Sequence, residues 1–218
     1  MVSGQAIDRR MKEIHSKTGV MADSHGDPDA ILTAIHLFKE NGCGALYHLG
    51  DICDSRYPER ADACVNLLVE HHVAMVKGNN DHILVVNHRN RPDTPIFPET
   101  LERLFNLPQR LEAGETFFTH SLPFVEELGL AGMMWSMGRR EAARFFERFP
   151  GHSLFRGHSH NPEIMYLKEG QVVAEPLIPG ERISLQERNP FVVTCGALMN
   201  SLCLVWDPTE NALQSLSF

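Results

Sequence analysis

The 218-residue chain is long enough for one good-sized domain, and 43% hydrophobic with 22% charged residues reads as soluble and globular. No apolar run approaches the ~20 residues that cross a bilayer, and the first twenty lack a signal-like apolar core, which argues against a membrane role and places the chain in the cytoplasm. A formal charge of −8, with no basic stripe carrying interleaved aromatics, argues against extended nucleic-acid binding; five cysteines without CxxC spacing exclude a disulfide framework or a zinc ribbon.

Residues 1–17 are polar and mixed in charge, an N-terminal extension with no clear strand. A short strand is predicted at about Thr18 to Ala22, ending in Asp23-Ser24-His25. The helix that follows has Asp27 as its cap and Pro28 at its first position, with Ile31, Ile35 and Phe38 on one face until "NGCG" stops it. The unit repeats: "GALYHLGDICD" is a second strand running into acids, and Pro58 opens a helix with Ala61, Val65, Leu68 and His72 on one face. "VAMVKGNND" is a third strand. Strands alternating with amphipathic helices predict a parallel sheet, with ligands outside the carboxyl ends of its strands.

From about Pro92 the pattern changes. "RPDTPIFPET" reads as a stiff loop, "LERLFNLP" as a short helix, and "RLEAGETFFTHSLP" as a hairpin turning at Ala113-Gly114 and ending at His120. Residues 122–150 hold the Met-rich stretch "LGLAGMMWSMG" and the helix "RREAARFFERF". The Met-rich stretch has three readings: core by default, a lid over the site, or a contact in a homo-oligomer. "HSLFRGHSH" is a strand ending in histidines, and further strands run through "FVVTCGAL" and "SLCLVWD". With no repeat, low-complexity segment or convincing linker, residues 1–218 are expected to form one domain.

Each strand end offers carboxylate, carboxamide or imidazole: Asp23 and His25; Asp51 and Asp54; Asn79, Asn80 and Asp81; His120; His158 and His160. Singly these are ordinary turn residues. Together, so many polar groups at one sheet edge would be costly to bury unless a metal pair satisfied them. Oxygen and imidazole donors without thiolates suit Mn, Fe, Co, Ni or Zn in an open site and do not suit a closed structural zinc.

The ordered motifs D-x-H (Asp23, His25), G-D-x-x-D (Asp51, Asp54), G-N (Asn79), H (His120) and G-H-x-H (His158, His160) resemble the calcineurin-like metallophosphoesterase family. The resemblance implies an α/β fold of four αββα layers, and two divalent metal ions, Mn first among the candidates. It also implies that Asp23, His25 and His160 hold one metal, Asn79, His120 and His158 the other, that Asp51 bridges them, and that Asp54 orients ligands from outside the ring. The implied reaction is hydrolysis of a small phosphomonoester or phosphodiester by a hydroxide shared between the metals, with no covalent protein nucleophile. Where many members carry histidine after the ligand asparagine, this chain has Asn80, which can donate to a substrate phosphate oxygen but cannot act as an acid. Alternatives are a nuclease or nucleotide phosphodiesterase, a protein phosphatase (although no arginine directly follows Asp54), and a non-enzymatic interaction scaffold on the same fold. His48 reads as a buried structural histidine rather than a ligand, and Arg56 as an exposed residue that could reach substrate phosphate.

Overall fold

The structure, a computed structural model, describes residues 16–218 and the backbone of Arg10–Met11. Most of the sequence-defined extension, residues 1–17, therefore lies outside the described residues. The elements in chain order are β1 (Arg10–Met11), β2 (Thr18–Met21), α1 (Pro28–Glu40), β3 (Ala45–His48), α2 (Ala61–Glu70, entered through a 3-10 turn at Pro58–Arg60), β4 (Ala74–Met75), α3 (Asn79–His88) and α4 (Pro98–Asn106). Then come β5 (Arg110–Ala113), β6 (Thr116–Thr119), α5 (Val125–Leu128), α6 (Ala131–Met134), α7 (Arg139–Arg148), β7 (Ser153–Arg156), β8 (Glu163–Lys168) and β9 (Gln171–Pro176). The last are β10 (Arg182–Ser184), β11 (Phe191–Thr194), β12 (Leu202–Asp207) and β13 (Ala212–Ser217).

Two mixed sheets result. One has the order β1-β5-β6-β7-β11-β8-β9 and the other β10-β13-β12-β2-β3-β4. The predicted parallel unit is present as β2-β3-β4 within the second sheet, and β12 closes against β2 antiparallel. Strand alternation defines the layers. Val20, Tyr47, Phe118, Phe155, Val193 and Leu204 face the interior between the sheets. Their chain neighbours Met21 and Cys203 face a second core with α1 and α2, while Phe117, Leu154 and Val192 face a third with α7. Helix, sheet, sheet, helix is the αββα stack, and runs such as "TFFT" and "FVVT" are apolar on both sides because both faces are covered.

Asp27 caps α1 as its position predicts, its Oδ1 accepting from Asp29 N at 3.1 Å and Ala30 N at 3.0 Å. Three local expectations are corrected. The third strand is only two residues long, and the asparagine pair after it is no strand end or turn but the first turn of α3. Asp81, at the third position of that helix, accepts from Gly78 N at 2.9 Å and ties its start down. His72 lies past the end of α2 in the left-handed region, at φ 54°. Within the extension, Arg10–Met11 pairs in parallel with Glu112–Ala113. Of the Met-rich stretch, Met133 and Met137 are buried, while Met134 and Trp135 face solvent.

Candidate metal centre

The carboxyl ends of β2, β3, β6 and β7 and the start of α3 converge. Backbone bonds stitch them: Asp23 N donates to Gly50 O and His25 N to Asp51 O, both at 3.0 Å, and Gly157 N donates to His120 O at 3.0 Å. The approach is so close that glycine is required, as at Gly78 and Gly157. A Cβ on Gly78 would lie 2.1 Å from Asp51 N, and one on Gly157 would lie 2.6 Å from Asp23 Oδ2. Asp23, His25, Asp51, His158 and His160 all adopt positive φ, between 48° and 69°. Such backbone costs free energy at non-glycine residues and persists only where the surroundings enforce it.

The seven residues singled out as ligands are brought together. Ligand atoms of Asp23, His25 and His160 lie within 4.8 Å of one another, and so do those of Asp23, Asp51 and His120. His25 Nε2 is 3.4 Å from His160 Nε2, and His160 Nε2 is 3.5 Å from Asp23 Oδ1. On the other side, Asn79 Oδ1 meets His120 Nε2 at 3.0 Å and His158 Nδ1 at 3.1 Å, with 3.1 Å between the two ring nitrogens. Asp51 stands between the groups: its Oδ2 is 3.9 Å from His25 Nε2 and its Oδ1 is 3.5 Å from His120 Nε2.

The donor set fits a cation. Asp23 is fully buried, and among the described residues its Oδ1 has no hydrogen-bond partner. His120 Nδ1 lies 2.8 Å from Leu49 O, a pure acceptor, so Nδ1 carries a proton and the neutral ring presents Nε2 as its lone-pair donor. That lone pair then faces the lone pairs of Asn79 Oδ1, a repulsion that a cation between them removes. Burial pushes His158 down to about 4, which keeps it a neutral donor at ordinary pH.

Around these residues, Asp54 Oδ2 is 3.8 Å from His25 Nδ1, and the Arg56 guanidinium grips the same carboxylate, Nη2 to Oδ2 at 2.9 Å. Arg56 is thus exposed, 76% for its side chain, yet committed to Asp54. Asn80 gives its backbone N–H to Asp51 Oδ1 and its Nδ2 to Asp51 Oδ2, both at 2.8 Å. Asp81 is buried under the site, accepting also from Cys53 N at 2.9 Å; burial and the nearby charge of Asp51 raise its pKa. Ser24 donates to Ile52 O at 3.0 Å, so its oxygen receives the Nε2–H of His48 at 2.9 Å. His48 is therefore a support for the Asp23–His25 turn, as its strand position suggests. Ser121, next to His120, donates its hydroxyl to Trp135 O and sets the exposed Trp135 beside the site.

Sequence reasoning overlooked Arg156, fully buried at the end of β7; its signal was a lone charge inside the apolar run "SLFRG".

A calcineurin-like phosphoesterase superfamily domain model matches residues 17–195. The chain belongs to that superfamily. It is a metal-dependent phosphoric ester hydrolase by that membership. Among solved structures, a metallophosphoesterase from Sphaerobacter thermophilus is 19% identical, with a TM-score of 0.75 over 94% of this chain and 88% of that one. A protein from Pyrococcus horikoshii is 15% identical, with a TM-score of 0.62 over 92% of this chain and 87% of that one. A serine/threonine phosphatase from Saccharomyces cerevisiae is 15% identical, with a TM-score of 0.56 over 96% and 84%. At these identities the likeness bears on the fold. No curated protein is matched by sequence.

Proposed function

We propose that the protein hydrolyses small phosphate esters at a centre of two divalent cations. Asp23, His25 and His160 would hold one cation and Asn79, His120 and His158 the other, with Asp51 standing between the two groups. The observation that carries this reading is the placement of Asp51, with one carboxylate oxygen toward each donor group. Such a pair of cations, when bound, acidifies water and draws charge from a phosphoryl group. Oxygen and imidazole donors without thiolates suit Mn, Fe, Co, Ni or Zn, and Mn is the first of these to test.

The chain's own residues do the rest. Asp54 aligns His25, and Leu49 O holds the His120 tautomer. Asn79, His120 and His158 are neutral donors, so the second cation stays electron-poor toward a phosphate oxygen. Asn80 fixes both oxygens of Asp51; its amide has a second N–H that can reach a substrate phosphate oxygen. An amide stands at position 80, so leaving groups that need protonation should react slowly. Buried free Cys53, Cys64, Cys195 and Cys203 support a reducing, cytoplasmic setting. Among the described residues no helix is long and apolar enough to cross a membrane.

The test is a screen of chelator-stripped protein, reloaded with each metal, against nitrophenyl phosphate, bis-nitrophenyl phosphate and alkyl phosphates, with Asp51→Asn as control. Metal-dependent hydrolysis that vanishes in Asp51→Asn is the expected result. Absence of any metal-dependent turnover would favour the scaffold alternative.

A further inference from the structure

We infer that Arg156 is a positioning residue for both His158 and His160, retained at the expense of fold stability; the inference rests on the metal-centre reading above. Arg156 is the largest fully buried side chain among the described residues. Among the described residues its guanidinium meets hydroxyls alone: Nη1 donates to Thr194 Oγ1 at 2.8 Å and to Ser159 Oγ at 3.4 Å, while Nε and Nη2 have no partner. A guanidinium stays protonated in proteins, so the group is a cation at neutral pH. A buried cation facing hydroxyls in place of a carboxylate is unfavourable, and an apolar side chain of similar volume would suit the site better for stability alone.

Its placement gives the compensation. Thr194 is the cross-strand partner of Arg156 on β11, and Cys195 N donates to Arg156 O at 3.0 Å, so the guanidinium is anchored to the rigid sheet. Ser159 lies in the turn between the two histidines, and both histidines hold left-handed backbone, at φ 69° and 61°. His158 reaches the Asn79–His120 group while His160 reaches Asp23 and His25. A tether on the residue between them therefore sets the pitch of both rings. If the turn rotates about Ser159, each donor group loses one member.

The experiment is calorimetric titration of manganese into chelator-stripped wild type, Arg156→Met, Ser159→Ala and the double variant, with thermal unfolding of the stripped proteins alongside. Arg156→Met should weaken manganese binding about 10- to 100-fold, the range for lost partners of metal ligands. Ser159→Ala should weaken it less, and the double variant should match Arg156→Met rather than multiply the two effects, because both break one tether. The stripped Arg156→Met protein should melt at or above the wild-type temperature. Unchanged affinity in Arg156→Met or in Ser159→Ala, or a multiplicative double variant, overturns the inference. A lower melting temperature with unchanged affinity does so too, and reduces Arg156 to a packing residue. If Arg156→Met fails to fold, the Ser159→Ala titration alone decides. A wild type that takes up no manganese refutes the metal centre, and this role with it.

Discussion

His48 gives a pH dependence whose size follows from its burial. The ring is fully buried, its Nε2–H is held by Ser24, and among the described residues its Nδ1 has no partner. Burial pushes its pKa from 6.5 down to about 3; Asp23 pulls it up, and His120 and His25 push it down by less. Above pH 6.5 the imidazole is neutral in folded and unfolded chains alike, so stability is complete there. As pH falls from 6.5 toward 3, the unfolded chain binds a proton that the folded chain refuses, and stability drops by about 1.4 kcal/mol per pH unit. At pH 5 the loss is about 2 kcal/mol. His48→Gln keeps an N–H for Ser24 and cannot titrate. Denaturant unfolding of chelator-stripped protein at pH 7 and pH 5 should show wild type losing about 2 kcal/mol more than His48→Gln over that interval. Parallel losses in the two proteins would refute a neutral, desolvated His48.

Gly78→Ala places a methyl against Asp51 N and Oδ1, backbone and ligand atoms that cannot yield; a loss of more than 1 to 3 kcal/mol in unfolding free energy is expected (on the order of an overpacked core) together with loss of metal-dependent activity. A variant with near-native stability and activity would contradict the close approach of the strand ends. Asn80→Ala removes the Nδ2 bond to Asp51, and should weaken manganese binding measured by titration as well as raise KM; an effect on KM alone would assign Asn80 to substrate only. Nitrophenyl esters should outrun alkyl esters, and Asn80→His should raise the alkyl-ester rate; an alkyl rate unchanged or lower across pH would show that no acid is missing.

The stacking of layers was legible because each strand carries its pattern locally: "TFFT" and "FVVT" announce strands covered on both faces, and Asp27-Pro28 announces a helix start. The ligand residues were legible because five polar motifs recur in order, and the structure gathers them. The α3 start was not, since Gly78-Asn79-Asn80 is equally good turn chemistry, and what decides for helix is the local bond of Asp81 to Gly78 together with its tertiary bond to Cys53. Arg156 was unreadable as a role because its partners, Ser159 and Thr194, are assigned to it by strand register, which the sequence does not carry. The same holds for the contact between Ser24 and His48, 24 residues apart.

Anomalous diffraction at the manganese edge from crystals soaked in manganese is the most direct test of the metal centre. Two peaks are predicted, one among Asp23, His25 and His160, the other among Asn79, His120 and His158, with the Asp51 carboxylate between them. A single peak, or none at these residues, would contradict the account.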